Sequence, residues 1–141
     1  MKFSIILLAC NLMLLSGCDL STPEDASIGE IRNALNEIEI AFNYHHIDEI
    51  MYYFDNEYLH NGDDISNVTL DWEIRLNDYQ EMELSEIEIE LDGDRAAVNL
   101  LRKFLVNGSV IVEQDSISET GDICYWGLVA NKWKLRGNRA N

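Results

Sequence analysis

Proline is almost missing from this chain: Pro23 is the only one in 141 residues, so no proline-rich low-complexity segment is present. Cysteine is scarce as well. Of three, Cys10 and Cys18 stand in or beside the N-terminal apolar stretch, and Cys124 has the rest of the chain to itself, which excludes a disulfide framework. His45, His46 and His60 have no thiolate company at zinc-site spacing, so neither metal nor cofactor is expected. Positive charge is the third deficit. Ten Lys and Arg face 26 Asp and Glu, a net charge of −16. A phosphate backbone would be repelled by such a surface, and so would anionic headgroups; nucleic acid is not an expected partner. Long apolar runs are missing too, with one exception at the start of the chain, Phe3 to Leu15 after Lys2. It is too short to span a bilayer comfortably as a stop-transfer helix.

That run ends in Leu15-Ser16-Gly17-Cys18. Small residues at Ser16 and Gly17 let the backbone enter a peptidase site in extended form, and the phrase resembles the lipobox of bacterial lipoproteins. The resemblance implies that residues 1–17 are a cleaved signal peptide, that Cys18 carries a diacylglycerol, and that the new amino terminus is acylated. Acyl chains contribute about 0.8 kcal/mol per buried methylene, ample against the headgroup repulsion. The implied location is the cell membrane, lipid-anchored, facing the periplasm or exterior. Asp19 resembles the inner-membrane retention signal of enteric bacteria, which applies where the source has two membranes. Residues 18–27 read as a lipidated tether, and residues 28–141 as one domain large enough for a full core.

From Ile28 the pattern is helical. Ile28, Ile31, Leu35, Ile38 and Phe42 form one stripe, with Ser27 expected as N-cap and Glu30 as its capping-box partner. Ile47, Ile50, Met51 and Phe54 suggest a second, shorter helix after the Tyr44-His45-His46 interruption. Leu70 to Leu76 suggests a third, after a short extended piece, Glu57 to His60, and a turn at Asn61 to Asp64. After Tyr79 the period becomes two. Met82 and Leu84 are apolar, then Ile87, Ile89 and Leu91, and the phase flips across Ser85. A strand can do that only through a bulge or bend near Ser85-Glu86. Turns at Asp92-Gly93-Asp94, Asn107-Gly108 and Ala130-Asn131-Lys132 separate the later strands, with Ile123 to Val129 pairing with Trp133 to Arg136. Helices followed by a bent antiparallel sheet make an α+β fold. Lys132, Lys134, Arg136 and Arg139 are expected to pair with the Glu86, Glu88, Glu90 face.

Several phrases, in this order, resemble the nuclear transport factor 2-like (cystatin-like) superfamily. They are Ala41-Phe42-Asn43-Tyr44-His45-His46-Ile47-Asp48, Tyr58 to Gly62, Asp92 to Val98, and Asn131 to Leu135. The resemblance implies N-terminal helices packed on a strongly curved antiparallel sheet, a cone with a pocket between the two layers. In some members that pocket is an active site, as in ketosteroid isomerase and scytalone dehydratase; in others it is a ligand site, a dimer surface or a filled core. One departure stands out: His46 occupies the place where many members have an Asp capping the second helix, so function tied to that Asp does not transfer.

Among candidate site residues, His60 closes a short strand near where the cone would open. With Tyr58 and Trp72 near in sequence, it is the candidate general base. His45 and His46 diverge and read as turn residues. Asn99, inside the apolar stretch Val98 to Leu101, is expected to point into core or pocket. Tyr58, His60, Trp72, Asn99 and Trp126 are the candidate ligand-lining set, while Trp133, Tyr79 and Tyr125 fit a core as well. Cys124 reads as a small buried hydrophobe. No Asp or Glu stands isolated on an apolar strand face, which argues against proton-transfer chemistry. The expected function is a non-catalytic, membrane-tethered binding or scaffold module of the cell envelope, with a homodimer or an envelope protein as partner. The alternatives are a small lyase or isomerase using His60, and an immunity or inhibitor protein steered by its acidity onto a basic enzyme.

Overall fold

The computed structural model describes residues 22–115 and 121–139. The expected signal peptide, Cys18 and Asp19 lie outside the described residues.

Helix α1 runs from Pro23 to Asn43 and begins earlier than the Ser27 cap expected from the stripe. Thr22 is the N-cap: its hydroxyl accepts from Asp25 N at 3.1 Å, and the Asp25 carboxylate accepts from Thr22 N at 2.9 Å. This capping box lies one turn upstream of the Ser27/Glu30 pair, and Pro23 fits the first helical turn because no N–H is needed there. The tether's last residues, 23–27, are therefore helix. Of the expected stripe, Ile31, Leu35, Ile38 and Phe42 are buried together with Ala34 and Ala41, and Ile28 is half-buried.

A turn at His45 (φ +58°) leads to α2, Ile47–Met51, whose N-cap His46 makes no side-chain capping bond. Strands β1 (Leu59–His60) and β2 (Asp63–Asp64) pair antiparallel around Asn61-Gly62. Asp64 then caps α3, Ile65–Asp78, accepting from Ser66 N and Asn67 N. That cap starts the helix five residues before the apolar stretch that signalled it.

The main sheet comprises β3 (Glu81–Asp92), β4 (Arg95–Val106), β5 (Ser109–Asp115), β6 (Tyr125–Val129) and β7 (Lys132–Leu135). Its order is β3-β4-β6-β7, with β5 pairing the far half of β4. The β3–β4 register shifts between Ser85 and Glu88, and Glu86 takes φ +52°. One extra residue thus restores the inward phase, so that Leu84 and Ile87 both pack on the core. Helix α1 grips the bent edge: Asn43 bonds both Met82 N (2.7 Å) and Met82 O (3.0 Å), Glu39 accepts from Leu84 N, and Arg32 donates to Ile87 O. The core lies between the helices and the concave face of the sheet.

Candidate functional site

The inner face of β4 is set by strict alternation: Ala96, Val98, Leu100, Arg102 and Phe104 are buried. Asn99 is on the opposite, outer phase, half-buried across from Glu88, and does not point into the cone. Val98 and Leu100 on either side take the inward positions, and a strand cannot turn three successive residues the same way.

The polar residue that does enter is Arg102, 1% exposed. Its Nη1 lies 3.1 Å from Asp122 Oδ1, and Arg75 Nη1 from α3 lies 2.7 Å from Asp122 Oδ2. Glu113 stands 3.6 Å from Arg102 Nη2 at the rim. Both guanidiniums also flank the Trp72 ring, at 5.4 and 5.7 Å from its centroid. Burial by itself would raise the Asp122 pKa, but the charges of Arg102 and Arg75 and their hydrogen bonds overcome it and hold the carboxyl below its usual value. Asp122 is therefore an ionised, doubly paired carboxylate, the opposite of a poised base. It precedes β6 rather than standing on a strand face, where the sequence reading looked for an inward acid.

Of the predicted set, Tyr58, His60, Trp72 and Trp126 are all buried; Phe54 packs against both Tyr58 and Trp72, and His60 lies beside Tyr58. Trp72 packs edge-on against Phe42 and Phe54. Trp126 Nε1 donates to Ile123 O at 3.0 Å. The Tyr58 hydroxyl donates to Asp122 O at 3.0 Å, and burial raises its pKa strongly. Its ring packs on Phe54 and lies near His60.

His60 is 5% exposed and faces the C-terminal segment rather than an open mouth. Its Nδ1 accepts from Asn138 N at 3.2 Å, and the Asn61 amide nitrogen lies 3.2 Å from Nε2. Burial pushes the imidazole pKa down, against the opposing pull of Asp122 and Asp63. Cys124 is fully buried, as expected of a small hydrophobe.

The C-terminal cations do not pair with the Glu86 to Glu90 row. Arg136 binds Asp55 (2.8 Å) and Glu57 (3.3 Å), and Arg139 binds Glu57 (3.2 Å). Lys132 and Lys134 stand over the Tyr52 ring, and Lys134 also donates to Tyr52 O. The cause is topology. Strand β7 lies at the far side of the sheet from β3, beside the α2–β1 connection, where Leu135 N donates to Tyr53 O and Leu59 N to Arg136 O.

Outside the cone, a groove of about 520 Å³ crosses the outer sheet face, with Ala97, Tyr125 and Gly127 on its floor. Glu90, Asp92 and Asp94 line one wall; Arg136, Asn138 and Arg139 line the other. Further along that face Leu101 and Leu105 are half-buried beside exposed Val110 and Val112.

Helices packed into a strongly bent antiparallel sheet invite comparison with solved structures. A protein of unknown function from Pseudomonas putida KT2440, described as NTF2-like, superposes with a TM-score of 0.64 at 15% identity, over 83% of this chain and 86% of that one. The fold is nuclear transport factor 2-like. Bd1075 of Bdellovibrio bacteriovorus superposes with a TM-score of 0.63 at 14% identity; the match covers 84% of this chain but only 42% of Bd1075. A candidate dehydratase of the same fold from Streptomyces avermitilis matches at 0.58 and 11% identity, over 80% and 94% of the two chains. No family model and no curated protein matches the sequence.

Proposed function

We propose that this chain is a non-catalytic binding or scaffold module, held at the cell envelope by lipid on Cys18 and facing the periplasm or exterior. The observation that carries the non-catalytic reading is that three polar groups of the cone, Tyr58, Asp122 and His60, are each engaged, although the Trp72 indole N–H is buried there without a hydrogen-bond partner. Tyr58 donates to a backbone carbonyl, Asp122 is held by two arginines, and His60 accepts from Asn138 N. A general base needs a free lone pair within reach of substrate, and an oxyanion donor needs an uncommitted O–H. The lyase or isomerase alternative has the fold in its favour, since a structural neighbour is a candidate dehydratase. It requires His60 to leave Asn138 before it can act.

The partner surface in this reading is the outer sheet face. Its apolar residues Leu101, Leu105, Val110 and Val112, set around Lys103, suit a second copy or an envelope protein. Among the described residues no helix is long and apolar enough to cross a membrane. In this reading attachment is the work of the acyl chains.

Labelling cells with an alkyne palmitate analogue tests the anchor: the intact protein should be marked and the Cys18→Ser variant unmarked. Sedimentation of the detergent-solubilised protein tests the surface, with Val112→Lys expected to shift a dimer to monomer. An unlabelled protein, or one whose mature form begins elsewhere than Cys18, ends the envelope reading. Turnover of a small carbonyl or hydroxy substrate that is lost in His60→Gln would favour the lyase instead.

A further inference from the structure

The hydrogen-bond pattern around His60 has an unusual polarity. Asn61 N donates to Asn138 Oδ1 at 3.0 Å, which fixes the orientation of the Asn138 amide. Asn138 Nδ2 then donates to Asn61 Oδ1 at 2.6 Å, which fixes the Asn61 amide and turns its Nδ2 towards His60 Nε2. The other ring nitrogen, Nδ1, faces the backbone N–H of Asn138, which cannot be reversed. Both imidazole nitrogens therefore face donors. A neutral imidazole carries one N–H and can accept at only one of the two positions; an imidazolium accepts at neither.

The segment gripped this way is narrow in its tolerances. Leu59 N donates to Arg136 O and Arg139 N donates to Leu59 O, so residues 136–139 run alongside β1. Gly137, at φ +68°, passes so close that a Cβ there would strike the Leu59 carbonyl. The His60 ring lies behind this crossing, against the rings of Tyr58 and Tyr125.

We propose that His60 is an acid-released latch: its protonation puts an N–H where the Nδ1 lone pair accepts from Asn138 N–H and frees residues 136–139 from β1, uncovering the Tyr58–Tyr125 flank of the cone. The charged groups around the ring are Asp63 from β2 and Asp122 from the approach to β6, both of which favour the protonated form. Tyr58 and Tyr125 present neutral rings, and burial and charge raise the pKa of each phenol further. On the segment itself, Arg136 and Arg139 are occupied by Asp55 and Glu57. Burial outweighs the two acids and keeps the imidazole neutral at neutral pH. The closed form resists the proton that the open form takes up, and that difference drives the release.

Hydrogen exchange on the full chain, corrected for the intrinsic pH dependence of amide exchange, tests this together with the ring signals of His60. Protection of Asn138 and Arg139 should fall by up to about tenfold per pH unit from about 6.5 down to the lowered midpoint of the closed-form ring, and level off below it, as one linked proton requires. The amides of Val98 and Phe104 should keep theirs. The His60→Gln variant should abolish that slope. Asn61→Asp supplies an acceptor to Nε2 and should raise the pH midpoint of the His60 ring by about one or more, and the pH at which protection of Asn138 and Arg139 falls should rise with it. Protection that persists at Asn138 and Arg139 while His60 titrates overturns the proposal. So does an Asn61→Asp midpoint equal to that of the parent.

Discussion

Arg102 and Asp122 meet inside the cone with nitrogen and oxygen 3.1 Å apart, the arginine on β4 and the aspartate on the approach to β6. Strand alternation drives the arginine inward, and the acid makes its burial tolerable. Removing one partner of a buried pair leaves the other charged and dry. Asp122→Asn should therefore cost about 3–5 kcal/mol of unfolding free energy, read from urea melts. Replacing both members by apolar residues, Arg102→Met with Asp122→Leu, should recover most of that loss, because Arg75 is partly exposed and can turn to water. A double variant as unstable as the single would mean that the pair holds the cone's geometry as well as its charge.

Acid stability follows from the same cluster. Against the cost of burial, the charges of Arg102 and Arg75 hold the folded-state pKa of Asp122 below the ordinary aspartate value. Its contribution is present in full above the unfolded value and is lost as pH falls through the folded one. Circular dichroism melts between pH 6 and pH 2 should show the melting temperature falling steeply below about 4. In Asp122→Asn that part of the slope should be shallower.

How much of this was legible beforehand depends on whether one strand or several had to be read together. The bulge at Ser85-Glu86 is written in the phase of one strand, and the Asn107-Gly108 turn in two adjacent residues, so both were visible. Arg102 was visible in principle. It shares the phase of Ala96, Val98, Leu100 and Phe104, and following that phase through the stretch would have chosen it over Asn99 as the inward polar residue. Its partner could not be found this way, because Asp122 reaches Arg102 only through the pairing of β4 with β6. The same holds for Arg136 with Asp55, which are joined by the position of β7 at the far side of the sheet. His60 stands out in the sequence as an imidazole closing a short strand, but sequence does not show that its two nitrogens will meet donors.

Gly137 gives a sharp test of how closely the C-terminal segment is seated. Its φ of +68° is one that an alanine adopts at a cost of about 1–2 kcal/mol, and the new Cβ would also press on Leu59 O and stand 2.8 Å from His60 Cβ. Gly137→Ala should lower stability by more than the backbone term and speed amide exchange at Leu59 and Arg139. Gly93, with φ +62° but open space around it, is the control. Gly93→Ala should show the backbone cost and leave exchange at Leu59 unchanged.

The start of α1 decides how much of the proposed tether is helix. A cap at Ser27 would leave residues 23–27 outside the helix, whereas the Thr22–Asp25 box places them within it. Thr22→Ala removes the hydroxyl that accepts from Asp25 N and should destabilise the first turn by about 1 kcal/mol. Ser27→Ala, inside the helix, should be neutral or slightly stabilising because alanine is the better helix former. Amide exchange of Ala26 and Ser27 should then rise in Thr22→Ala and hold steady in Ser27→Ala. The reverse pattern would return the cap to Ser27.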